Sequence, residues 1–162
     1  MPNLQIDSID RRILTALQRD AKQSNVELAH AVGLSPSPCL VRVKRLEKAG
    51  LINRYVALLD ASRLGTTVNV FIQISLEKQT EQILDTFEKT VASIPEVMEC
   101  YLMSGDSDYL LKVVVRDTED LRHFIVDKLS KTPGVKTIRS SFSLKQIKYS
   151  TELPIGRLTD AR

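Results

Sequence analysis

The sequence predicts an α+β protein of two units: a helical one over residues 1–60 and a mixed one over 67–150, with a 61–66 linker and a 151–162 tail. Three observations point there. Apolar residues recur at three- and four-residue spacing as far as Leu46, and from Val68 onward they alternate in β-branched runs. Turn residues bound Asp60-Ala61-Ser62-Arg63-Leu64-Gly65, between the two patterns. The charge also divides unevenly. Residues 1–60 hold nine Lys and Arg against six Asp and Glu, and the rest hold fourteen of each, so the whole +3 excess lies on the helical half.

Asp7 or Ser8 caps the first helix, which turns Ile9, Ile13, Leu14 and Leu17 to one side. Ser24 with Glu27 three residues on is a capping box that starts a second helix. Its apolar stripe is Leu28, Ala29 and Val32, and Gly33 supplies the left-handed end. Leu34 anchors the turn. Ser35 or Ser37 caps a third helix with Pro36 or Pro38 in its first turn, where the missing N–H is harmless. Leu40, Val43 and Leu46 are its expected buried face, and Gly50 stops it. Residues 51–59 then read as an extended wing or linker strand with Arg54 exposed.

The third helix carries chemistry on its outside. Ser37, Pro38, Val41, Arg42, Arg45 and Lys48 fall at three- and four-residue spacing, on a face away from the apolar stripe. Taken alone this is also what an ordinary solvated helix shows. The capped helix before it and the glycine-centred turn make the pair a helix-turn-helix, whose second helix enters the major groove of double-stranded DNA. Arg42 and Arg45 are the expected readers of base edges, because a guanidinium bonds a guanine edge twice. Lys44, Lys48 and Arg54 are the expected phosphate contacts.

The second half reads β-α-β-β-α-β, a ferredoxin-like order. Strands are expected at 68–76, 97–104, 109–115 and 135–147. Ile83, Leu84, Phe87, Val91 and Ile94 mark one helix, and Leu121, Phe124, Ile125 and Leu129 the other. Both helices on one face of a four-stranded sheet leave the other face bare. That face is expected to include apolar positions between Val70 and Ile74 and between Leu110 and Val114, which a second copy of the chain would cover.

Several classes are disfavoured. No apolar run approaches the ~20 residues of a membrane span, and residues 1–10 lack the apolar core of a signal peptide, so a cytoplasmic protein is expected. Cys39 and Cys100, far apart and outside any C-x-x-C, read as reduced thiols, with Cys39 packed. His30 and His123 have no nucleophile or ligand cluster nearby in sequence. Phosphate-binding and dinucleotide-binding glycine motifs are absent, so neither an enzyme, a metal nor a cofactor is expected.

The chain resembles the Lrp/AsnC (leucine-responsive/asparagine-responsive) family of transcription regulators over nearly its whole length. The likeness rests on Ile9 to Leu14, on Asn25 to Ala29, on Val32 to Leu40, on Arg42 to Glu47, and on Glu99 to Lys112. It implies an amino-acid-sensing second unit with an effector site at Gly105-Asp106-Ser107-Asp108, beside Tyr109. A free amino acid needs carboxylates for its ammonium and N–H donors for its carboxylate. Asp106 and Asp108 would supply the first and the backbone of the turn the second. The same four residues also suit a plain hairpin turn. Leu102, Ser104 and Ser141 are the expected side-chain selectors, although the small residues Ser140, Ser141 and Ser143 of the last strand depart from leucine-responsive members. The resemblance further implies homodimers gathered into an octamer, with paired reading heads roughly 34 Å apart on DNA. Two other readings fit: an architectural DNA-binding protein that senses nothing, and a regulatory amino-acid-binding subunit whose helices only mediate assembly.

Overall fold

The computed structural model describes residues 6–65 and 68–155. They form two compact units, one containing the residues up to Leu58 together with those from Lys148 on, the other Leu59–Ile147. The segment after Lys148 therefore belongs with the helices. Gln18 binds the Leu153 backbone in both directions, and Ile155 joins the helical core.

The first unit holds α1 (Ser8–Arg19), α2 (Asn25–Val32) and α3 (Pro36–Lys48). Asp7 is the cap of α1, its carboxylate accepting the N–H groups of Ile9 and Asp10. The Ser24–Glu27 box forms as expected, and Gly33 takes φ of 71°, where a side chain is disfavoured. Ile13, Leu14, Leu28, Ala29, Val32, Cys39 and Leu46 make the core. One expectation fails on α3. Cys39 is buried where Leu40 was expected, because helical spacing puts Cys39, Val43 and Leu46 on one narrow stripe and leaves Leu40 beside it; Leu40 is 42% exposed. Residues 53–60 carry no regular structure and no sheet partner in the single chain.

The second unit contains β1 (Val68–Leu76), α4 (Glu81–Ala92), β2 (Val97–Leu102), β3 (Tyr109–Val115), α5 (Thr118–His123) and β4 (Val135–Phe142). From Phe124 to Leu129 α5 continues as a π-helix. The sheet is antiparallel in the order β2-β3-β1-β4. β4 stops at Phe142 rather than at Ile147: Phe142 pairs with Val70 near the start of β1, and the Ser143 N–H donates to the Asn69 carbonyl.

Strand alternation sorts the faces. Val70, Ile72, Ile74 and Leu76 of β1 and Tyr109, Leu111, Val113 and Val115 of β3 point to the helices and are buried with Phe87, Val91, Leu121, Phe124 and Leu129. The bare face thus keeps only the outward alternates of the two expected runs, since Val70, Ile72, Ile74, Leu111 and Val113 turn inward. It holds Asn69, Phe71, Gln73 and Ser75, then Leu110, Lys112 and Val114, then Thr137, Arg139 and Ser141. Its apolar content is Phe71, Leu110 and Val114 with Tyr101, interleaved with polar groups.

Gly134 joins the π-helical end to β4 at φ of 84°, and a Cβ there would lie 2.6 Å from Ile83 Cγ2. Both strain and overpacking penalise a side chain. Gly134→Ala is expected to destabilise the second unit by about 2–4 kcal/mol in urea titration, against a near-neutral Lys136→Ala.

Candidate functional site

α3 is held by two sets of polar contacts. The Asn25 amide donates to the Pro36 carbonyl at 2.8 Å, fixing the start of the helix against α2. On the other side lies Asp10, a carboxylate with no exposure at all. A charge so placed needs partners to be tolerated. Arg42 Nη1 donates to Asp10 Oδ1 at 2.9 Å and to Asp7 Oδ2 at 2.7 Å, Arg45 Nη2 donates to Asp10 Oδ2, and the Asp7 N–H donates to the same oxygen. The Asp10 N–H and then Arg42 hold the Asp7 carboxyl down at about 2, and Asp7 and Asp10 push Arg42 up.

This changes the sequence-derived reading of the helix. Arg42 and Arg45, expected to be free for base edges, are turned back onto the carboxylates of α1 and its cap. What faces outward is Ser37, Val41, Lys44 and Lys48, spaced four, three and four residues apart and all exposed. Pro38 and Leu40 flank that stripe, Arg54 is exposed beyond the helix, and Val41 is 65% exposed. Small, apolar and basic groups along one ridge are what close approach to a groove requires. The sequence signal for the tether was Asp10 itself, an acid on the inward side of an amphipathic helix.

Downstream, Tyr55 donates to Glu47 Oε1 at 2.8 Å, and its partial burial followed by that carboxylate pushes the phenol up to about 12. This bond ties the segment after α3 to the helix itself.

In the second unit the expected effector residues separate. Asp108 is already engaged within the chain: its Oδ2 accepts the Leu76 N–H at 2.6 Å and its Oδ1 is bonded by Gln79, while its own backbone bridges Ile74 and Met103. It closes the end of the sheet. Tyr109 points into the core, being 1% exposed with its hydroxyl donating to Glu88 at 2.7 Å, and burial then Glu88 push its pKa up. Leu102 and Ser141 cannot line one pocket within a chain. They sit on edge strands three spacings apart, about 14 Å, and on opposite faces. Leu102 instead lines a recess of about 440 Å³ with Glu88, Met98 and Cys100. Ser104 and Gly105 are exposed in the turn, where Gly105 takes φ of 138°.

Asp106 and Ser107 do meet other functional groups. Together with Gln73, Ser75, Thr137 and Arg139 they line a small hollow of about 70 Å³ on the open sheet face. Gln73 and Arg139 are cross-strand partners, as are Ser75 and Thr137, so two rows of the sheet and the 103–108 turn set one carboxylate, one guanidinium and four neutral polar groups around one hollow. Sequence reasoning missed Arg139, which the chain places 33 residues after Asp106 and only β1–β4 pairing brings beside it.

Among the described residues no group of three His, Cys, Asp or Glu could hold a metal, and no helix is long and apolar enough to cross a membrane. His30 and His123 are both exposed.

Comparison with known proteins agrees with both units. Residues 69–153 match the Lrp/AsnC ligand binding domain, and residues 6–53 match a winged helix-turn-helix DNA-binding domain. The leucine-responsive regulatory proteins of Klebsiella pneumoniae and Escherichia coli K12 are each 42% identical over 154 residues, covering 95% of this chain and 94% of theirs. A Neisseria meningitidis transcriptional regulator solved in complex with L-Met superposes with a TM-score of 0.91 at 39% identity, covering 95% of this chain and 99% of that one. An AsnC family transcriptional regulator from Agrobacterium tumefaciens does so at 0.90 and 41%, covering 94% and 99%. With a helix-turn-helix whose second helix bares a basic ridge, and a four-stranded sheet unit matching the family's ligand-binding domain, the chain belongs to the Lrp/AsnC family of transcriptional regulators.

Proposed function

We propose that this regulator senses a free α-amino acid at the hollow formed by Asp106, Ser107 and Arg139, and reads duplex DNA with Ser37, Val41 and Lys44. The observation that carries the sensing half is the pairing of one acid with one guanidinium across that hollow. An α-amino acid is a zwitterion, so Asp106 takes the ammonium and Arg139 the carboxylate, a charge-assisted and directional pair of contacts. The hollow is too small for a whole ligand. It grips the end shared by all amino acids, and the side chain extends over the open sheet face, where Phe71 and Leu110 favour apolar groups. The L-Met complex of the Neisseria relative supports that class. A second copy laid on the same face supplies the remaining wall, which supports a homodimer and, as the family resemblance implies, four such dimers gathered into an octamer.

The test is a thermal melt of the full chain against each of the twenty L-amino acids. An apolar one should raise the melting temperature, since a hundredfold excess over Kd adds about 2.7 kcal/mol to the native state. Arg139→Gln and Asp106→Asn should each abolish that rise, and Asp106 and Arg139 are exposed enough for both variants to fold. A panel in which nothing shifts the melt at millimolar concentration favours the architectural reading.

On the DNA side, Lys48 and Arg54 are assigned to phosphate. Lys48→Ala is expected to weaken operator and random duplex alike, and to reduce the slope of log affinity against log salt by about 0.9. A sequence-dependent loss would instead make Lys48 a base reader.

A further inference from the structure

A recognition helix with two arginines beside its reading ridge has an obvious hazard. Arg is the commonest partner of guanine in the major groove and also binds any phosphate within reach. Arg42 and Arg45 lie on α3 next to Val41 and Lys44, and Arg45 retains 44% of its side-chain exposure. Left free, both would reach DNA. They are not free. Asp10, fully buried, accepts from both guanidiniums, and Asp7 accepts a second bond from Arg42. The acids come from α1 and its cap, the basic groups from α3, across 32 and 35 residues of chain. The cluster is thus built by tertiary packing, and each partner has a reason to stay. Asp10 cannot lose its arginines without leaving a bare buried charge, which is strongly unfavourable.

We propose that Asp10 is a specificity-determining positioning residue. It holds Arg42 and Arg45 away from the DNA, so that bases are read by the small and apolar ridge of Ser37, Val41 and Lys44. The acid touches no nucleotide and acts through the two guanidiniums. This inference rests on the reading of α3 as the groove helix. It goes further in stating why two prominent basic groups of that helix do not read bases.

The experiment uses the full chain, a duplex it selects from a random pool, and an unselected random duplex, each titrated across a range of salt. Asp10→Asn keeps the shape of the side chain but gives up the charge that restrains the arginines. Binding to random duplex should strengthen, the slope of log affinity against log salt should steepen by about one to two as freed guanidiniums meet phosphate, and the preference for the selected duplex should fall about tenfold. Asp7→Asn is the companion variant. Asn is as good a helix cap as Asp and Asp7 is exposed, so this variant folds even where Asp10→Asn does not, and with only Arg42 loosened it should steepen the slope by about one. Glu47→Gln removes one exposed acid from α3 itself without releasing either arginine, and should leave slope and preference as they were. A purely structural Asp10 would lower the melt while slope and preference stayed put.

The inference is overturned if neither Asp variant changes slope or preference, or if Glu47→Gln changes them as much. Failure of the underlying reading looks different. In that case a carboxylate placed at Val41 leaves binding to the selected duplex intact, whatever the Asp variants do.

Discussion

Phe87→Ala should lower the stability of the second unit by about 3–5 kcal/mol, the range for removing a fully buried aromatic side chain. Phe87 has no exposure, and its ring centroid lies 4.5 Å from that of Tyr109 at 38°, a tilted contact that adds to simple burial. It packs on Tyr109 of β3 within the buried cluster of the second unit, so the cavity would open beside that strand. Against a typical domain stability of about 5–15 kcal/mol that is a large fraction. Urea titration followed by circular dichroism measures it. A change below 1 kcal/mol would mean that α4 is not packed on the sheet as described. The neighbouring Tyr109→Phe removes only the bond to Glu88, and should cost about 1 kcal/mol.

Val41→Glu is expected to have the largest functional effect. Val41 is 65% exposed and makes no part of the core, so the melt should be unchanged. In the groove, however, a carboxylate faces phosphate and base acceptors and has no donor to meet. Like charges forced together in an interface cost several kcal/mol. Binding to the selected duplex should fall at least ~100-fold, equivalent to about 2.7 kcal/mol. Lys44, one turn along, would add to the loss by pairing with the new acid in place of DNA. Measured by anisotropy with the melt as a control, intact binding by Val41→Glu would show that another surface reads the DNA.

The elements that follow from local physics were legible in the chain. Ser24 and Glu27 give the start of α2 through contacts three residues apart, and Gly33 gives its end. The alternation of β1 and β3 gives their full extents, because each has a wet and a dry side. Elements set by a partner were less legible. The end of β4 depends on how far β1 extends beside it, and apolar residues continue past it as far as Ile147. Which side of α3 points inward depended on how it packs on α1 and α2, which put Cys39 rather than Leu40 in the core.

Site residues divide along the same line. Residue type and spacing determined by themselves that one helix is basic and groove-sized, that the Gly105–Asp108 turn is polar, and that the charge excess lies in the first half. Only tertiary structure decided what each charged group is for. Asp106 and Asp108 are indistinguishable in sequence, yet Asp108 is spent on the Leu76 N–H and Gln79 while Asp106 faces Arg139's hollow. Arg42 and Arg45 have the residue type and spacing of base readers, yet both donate to Asp10, more than thirty residues away in the chain. The physical reason is common to both cases. A charge acts on whatever it can reach with least loss of solvation, and its partner comes from packing between distant segments, which spacing along the chain does not encode.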